Sequence, residues 1–186
     1  MNINMHTSHP SAFISSTFMD LKQERKAVAQ ILRENGLNVN ALDVKPASSQ
    51  TSRREIVNGI KESDFVILII GNRYGSILPQ VTGSSTLSIT RWEYKKAVQL
   101  NKSILVYYKE NPGNEPADTG DSPDPDDAFK QEQLKQFKRQ LDENHTPKYF
   151  SNPDELAREI HAALIPVYRD GLKLLLSRQR RRKIRY

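Results

Sequence analysis

Three stretches of this chain concentrate the residue types that hold and cleave a small polar ligand. Ser15-Ser16-Thr17-Phe18 offers three hydroxyls and a ring, and Gly71-Asn72-Arg73-Tyr74-Gly75 sets a guanidinium and a phenol between two glycines. The segment 84–93 is rich in hydroxyls and ends in Trp92 and Glu93. A helix N-terminus after Ser16 can present N–H groups to a phosphate, Arg73 can pair with phosphate oxygens, and Phe18, Tyr74 or Trp92 can stack on a base. The set suits a nucleotide better than a peptide. Glu93 adds a carboxylate, which can accept hydrogen bonds from ribose hydroxyls and stabilise an oxocarbenium-like centre as a glycosidic bond breaks. Each residue also has a structural reading. Ser16 and Thr17 can cap a helix, Tyr74 can pack, Arg73 can lie on the surface, and Thr90 with Glu93 has the T-x-x-E spacing of a capping box. Neither GxGxxG nor GxxxxGK[ST] occurs, so a standard dehydrogenase or P-loop phosphate site is not indicated.

Such residues act together only if the fold gathers them. Ala12–Ser16 reads as a short apolar strand, and Thr17 with Asp20 has N-cap spacing for the helix that follows. That helix sets Leu21, Val28, Ile31 and Leu32 on one face and Lys22, Glu24, Arg25 and Lys26 outside, and Gly36 closes it. A strand over 37–44 and a polar loop lead to Ser52-Arg53-Arg54-Glu55, a capping box opening a second helix that buries Ile56 and Ile60. Asp64–Gly71 is apolar without alternation, as a strand covered on both faces requires. A helix over about 90–100, a strand at 103–108, a helix carrying Leu134, Phe137 and Leu141, a strand at 148–150 and a last helix from Asn152-Pro153 complete the pattern. The order predicts an α/β, flavodoxin-like, doubly wound sheet of about five parallel strands with helices on both faces. In such a sheet ligands bind outside the carboxyl ends of the strands, near the switch point, where the three stretches converge.

Composition narrows the rest. The 186 residues suit one domain, with 37% hydrophobic and 27% charged residues and a net charge of +6. Cysteine is absent, so no disulfide framework, thiolate nucleophile or Cys-ligated zinc is expected. His6, His9, His145 and His161 have no metal-ligand spacing, and no metal site is expected. The longest apolar run, Phe65–Ile70, is too short to span a bilayer, and with no signal segment a cytoplasmic location is expected. The boundaries expected are a flexible arm at 1–10, the α/β domain at 11–168 with a mobile acidic loop at 110–127, and a basic C-terminal helix or tail at 169–186. Arg178, Arg180, Arg181, Arg182, Lys183 and Arg185 crowd that tail. It is the only candidate contact for nucleic acid, and no aromatic residues are interleaved among the arginines for stacking.

Two segments carry a family resemblance. Phe13-Ile14-Ser15-Ser16-Thr17-Phe18-Met19-Asp20-Leu21 with Glu24-Arg25 resembles the FISSTFxDLxxER opening of the DUF4062 domain. Asp64–Ser76 resembles that domain's apolar strand ending in GxRYGS, and Thr90-Arg91-Trp92-Glu93-Tyr94 with Ala97 resembles the T-E-x-E-Y…A pattern that follows. Arg91 stands where the family often has a first glutamate. DUF4062 domains are TIR-like (Toll/interleukin-1 receptor-like). The resemblance implies a role in immune or stress signalling, with NAD as substrate rather than cofactor and nicotinamide released to give ADP-ribose or a cyclised product. It implies that Glu93 is catalytic, matching the third-helix glutamate of catalytic TIR domains, with Ser15, Ser16, Thr17, Phe18, Arg73, Tyr74 and Trp92 as candidate substrate contacts. Self-association or a partner effector protein is expected. The alternative is a non-catalytic TIR-like module for protein–protein interaction or nucleotide sensing.

Overall fold

The computed structural model describes residues 10–17, 20–40, 52–110 and 125–183. Five parallel strands form one sheet: β1 (Ser11–Ser16), β2 (Asn38–Asn40), β3 (Phe65–Ile70), β4 (Ser103–Lys109) and β5 (Lys148–Phe150), in the order β2-β1-β3-β4-β5. The helices between and after them are α1 (Lys22–Glu34), α2 (Ser52–Glu62), α3 (Pro79–Thr82), α4 (Ile89–Gln99), α5 (Pro125–Asn144) and α6 (Pro153–Lys183). The α/β sheet expected from the sequence is the one observed. Strand order reverses between β1 and β3, which sets the switch point there.

The burial pattern explains the layers. Every residue of β3 is buried, and its side chains alternate between the two faces of the sheet, joining three apolar clusters. Phe65, Ile67 and Ile69 join Leu21, Val28 and Leu32 of the α1 region and Leu156, Ile160 and Leu164 of α6. On the opposite face Val66 meets Phe13, Ile56, Ile60 and Trp92, while Leu68 and Ile70 meet Tyr94, Leu134, Phe137 and Leu141. A strand buried on both faces gains no advantage from polar alternation, hence its unbroken apolar run. Gly36, at φ 75°, ends α1 in the left-handed conformation that favours glycine, and the Leu37 amide returns to the Leu32 carbonyl at 2.9 Å. Asn152 caps α6 by accepting the Glu155 amide at 2.9 Å.

Several local expectations are corrected. Helix α1 starts at Lys22 with no side-chain cap, and the Thr17 hydroxyl instead donates to Asp20. Glu24 and Arg25, expected outside, are both buried, because α1 is covered along that side by partners remote in sequence. The Thr90–Glu93 capping box does not form. Ser88 is the N-cap of α4, its hydroxyl accepting the Arg91 amide at 3.3 Å, and Thr90 lies within the helix. The short α3 was not expected. The arm at 1–9, the later part of the strand predicted over 37–44, the serine of the Ser52–Glu55 box and most of the acidic loop at 110–127 lie outside the described residues or side chains.

Candidate functional site

The carboxyl end of β1 is where the two helical layers meet the sheet edge. Consecutive strand residues point to opposite faces, so Ser15 follows Phe13 toward α4 and Ser16 turns toward α1. Ser15 donates its hydroxyl to Glu93 Oε2 at 2.5 Å. Ser16 Oγ accepts from Arg25 Nη1 at 2.8 Å. Two neighbouring serines thus connect a carboxylate on one layer with a guanidinium on the other. Thr17 is buried, bonded to Asp20, and pressed against the loop after β3. Gly75, at φ 90°, permits that contact: a Cβ there would lie 2.9 Å from Thr17 Cγ2. Gly71, at the end of β3, similarly lets Asp20 approach, since a Cβ there would lie 2.7 Å from Asp20 Oδ2.

Glu93 is 4% exposed. Its pKa is raised from 4.5 to about 7 because burial disfavours the carboxylate, with the Ser15 hydrogen bond and the Arg25 charge opposing that rise. The group therefore titrates in the neutral range, where it exchanges between acid and base forms. On α1, Glu24 is buried and pairs with Lys109 at the end of β4 at 2.7 Å. Among the described residues no group of three or more His, Asp or Glu side chains is arranged to hold a metal ion.

The structure brings together some of the candidate residues and separates others. Ser15, Ser16, Thr17 and Glu93 share the β1 edge. Arg73 lies in the adjoining loop and is exposed. Phe18 lies outside the described residues. Tyr74 and Trp92 do not fit the stacking role expected of them. Each is 3% exposed. The Tyr74 hydroxyl donates to the Thr86 carbonyl at 2.9 Å while its ring packs with Leu68 and Tyr94. Trp92 packs with Phe13, Ile56, Ile60 and Val66, with Arg53 5.5 Å and Lys96 5.8 Å from its ring centroid. Arg91, where the family often has a glutamate, ties α4 to α5 through Gln133 at 2.9 Å. Arg25 and Asp20 were missed as site residues, although both stand inside the DLxxER segment.

The fold and this edge define a flavodoxin-like parallel α/β domain with its polar residues at the switch point. Residues 11–165 match the family described as "Domain of unknown function (DUF4062)", and the chain belongs to that family. Among solved structures it is similar to the TIR domains in "Structure of the activated Roq1 resistosome directly recognizing the pathogen effector XopQ". That match has a TM-score of 0.51 and 11% identity, and covers 83% of this chain and 99% of the other. The likeness establishes a TIR-like fold. No curated protein matches the chain. No helix among the described residues is long and apolar enough to cross a membrane.

Proposed function

We propose that this domain binds NAD or a related nucleotide at the β1–β3 edge and cleaves the nicotinamide N-glycosidic bond. Its setting would be the immune or anti-phage signalling that the TIR-like resemblance implies. The observation that carries the reading is Glu93, a carboxylate held by Ser15 at the switch point and tuned to titrate near neutrality. In the reaction the bond from ribose C1′ to the nicotinamide nitrogen breaks, and its electron pair leaves with neutral nicotinamide. Ionised Glu93 bonds the ribose hydroxyls and stabilises the positive charge developing at C1′. Water, or an atom of the same nucleotide in cyclisation, then adds to C1′ and loses a proton to solvent. The hydroxyls of Ser15, Ser16 and Thr17 and the exposed Arg73 supply contacts for ribose and phosphate.

A specific observation favours a second reading. Glu93 is almost wholly covered and already accepts a hydrogen bond. In a non-catalytic interaction or nucleotide-sensing module, the Ser15–Glu93 bond would simply pin α4 to β1. Nicotinamide release from NAD by concentrated protein separates the two. The enzyme reading expects turnover that rises with pH through about 7, as Glu93 ionises, and a loss of about 100-fold or more in Glu93→Gln. Equal turnover in wild type and Glu93→Gln would remove Glu93 from the chemistry. Absence of release, together with concentration-dependent self-association, would establish the interaction module.

A further inference from the structure

The DLxxER segment holds two buried charges, Glu24 and Arg25, that the reading above leaves without a task. Adjacent residues on a helix diverge by about 100°, and these two are drawn apart accordingly. Glu24 is matched by Lys109 at 2.7 Å, on the side of β4. Arg25 reaches the end of β1 and donates to Ser16 at 2.8 Å, one residue from the serine that holds Glu93. Its charge acts on Glu93 across that edge.

The other charged groups around Glu93 are engaged elsewhere or exposed. On α4 itself, Arg91 is turned to Gln133 and Gln140 of α5, Lys96 lies against the Trp92 ring and Gln99, and Lys95 is exposed. Asp20, just before α1, accepts from Thr17, and Arg73, in the loop after β3, is exposed. From β1 comes the neutral hydroxyl of Ser15. Among the described residues, Arg25 is the charged side chain whose field bears on Glu93.

We infer that Arg25 is a positioning residue for the proposed cleavage: anchored on Ser16, next to the serine that holds Glu93, it places a positive charge at the β1 edge that favours the ionised form of Glu93. The inference rests on the NAD-cleaving reading for its purpose, but its physical core is a coupling between two named side chains. A burial as complete as that of Glu93 favours the neutral acid, and a nearby fixed cation opposes it. The positive charge is carried by α1, on the layer opposite α4, and reaches the carboxyl end of β1 at Ser16.

The test reads the ionisation of Glu93 and turnover separately. Carboxyl carbon NMR on glutamate-labelled full chain, with the Glu93 signal assigned by its loss in Glu93→Gln, gives the titration midpoint in wild type, Arg25→Gln and Arg25→Lys. Arg25→Gln is expected to raise the midpoint by about one unit or more, with Arg25→Lys restoring most of it. The rising limb of the pH–turnover profile should shift by the same amount, with kcat at pH 7 lowered more than KM is raised. If Arg25→Gln fails to fold, Ser16→Ala removes one of the guanidinium's anchors while keeping its charge, and a smaller shift in the same direction is expected. An unchanged midpoint in every folded variant overturns the inference, whatever the turnover. A shifted midpoint in a protein that releases no nicotinamide keeps the coupling and overturns the catalytic reading.

Discussion

Replacing Glu93 by glutamine should make this protein more stable, and increasingly so as the pH rises. The side chain is buried, and its pKa is raised from 4.5 to about 7 mainly by loss of solvation. The folded chain thus binds this proton more tightly than the unfolded chain does. As the pH rises from about 4.5 to 7 the unfolded state loses the proton first, so it holds fewer protons than the folded state and stability falls. At roughly 1.4 kcal/mol per unit, the rise from 4.5 to about 7 amounts to about 3 kcal/mol of destabilisation above neutrality. Glutamine keeps an oxygen that can accept the Ser15 hydroxyl and carries no charge.

Urea unfolding of wild type and Glu93→Gln across this range isolates the effect, because the other ionisable groups cancel in the difference. The stability advantage of the variant should be small at about pH 5 and grow by about 2 to 3 kcal/mol by about pH 8. With a denaturant slope of about 2 kcal/mol per molar, the midpoints should separate by about 1 M. A separation that stays constant with pH, or shrinks as pH rises, would refute the reasoning. It would show that Arg25 and Ser15 compensate the ionised carboxylate fully, so that no cost of burial remains for function to exploit.

The remaining predictions concern residues whose sequence appearance and structural role differ. Trp92→Ala should cost about 3 to 5 kcal/mol, since its ring fills the cluster with Phe13, Ile56, Ile60 and Val66. Calorimetry should register a fall in Tm of about 10 °C, whereas a change confined to nucleotide affinity would contradict the core assignment. Gly75→Ala should cost about 1 to 3 kcal/mol, because φ is 90° and the new methyl would press on Thr17 Cγ2. Adding Thr17→Ser removes that methyl, keeps the hydroxyl that bonds Asp20, and should recover part of the loss in a double-mutant cycle. Strict additivity would place the cost in the backbone alone.

The fold was legible because its signals are local. β3 announces a doubly covered strand by its own composition, Gly36 announces its turn, and Lys148-Tyr149-Phe150 forms the short fifth strand where the sequence put it. The site was legible only in outline. Ser15, Ser16, Thr17 and Glu93 were gathered correctly to one edge, but the Ser15–Glu93 bond spans 78 positions and has no periodic signature. Tyr74 and Trp92 look like stacking residues beside their polar neighbours. Helix α4 nevertheless turns Trp92 inward against Phe13 and Val66, and Tyr74 seals the opposite end of that face. Glu24 and Arg25 misled for the opposite reason. Helical periodicity places charged residues outside, and tertiary partners, Lys109 for Glu24 and Ser16 among those of Arg25, make their burial tolerable.

The charges missed by periodicity are those that give the edge its chemical character. A buried carboxylate by itself stays protonated near neutrality, and a buried pair in direct contact spends its charge on its partner. Around β1 the carboxylate and the guanidinium are each held by a residue of the same strand. Glu93 and Arg25 lie in different layers and are bonded to two adjacent serines whose side chains point apart because they belong to one strand. Shifting the register of β1 against β3 by one residue would exchange the faces of Ser15 and Ser16 and break both bonds together. That register is fixed by Ala12 opposite Phe65 and Ile14 opposite Ile67, deep in the apolar core. The packing that stabilises the sheet therefore also sets the charge state of Glu93, and core substitutions that loosen β1 against β3 should alter its titration before they unfold the chain.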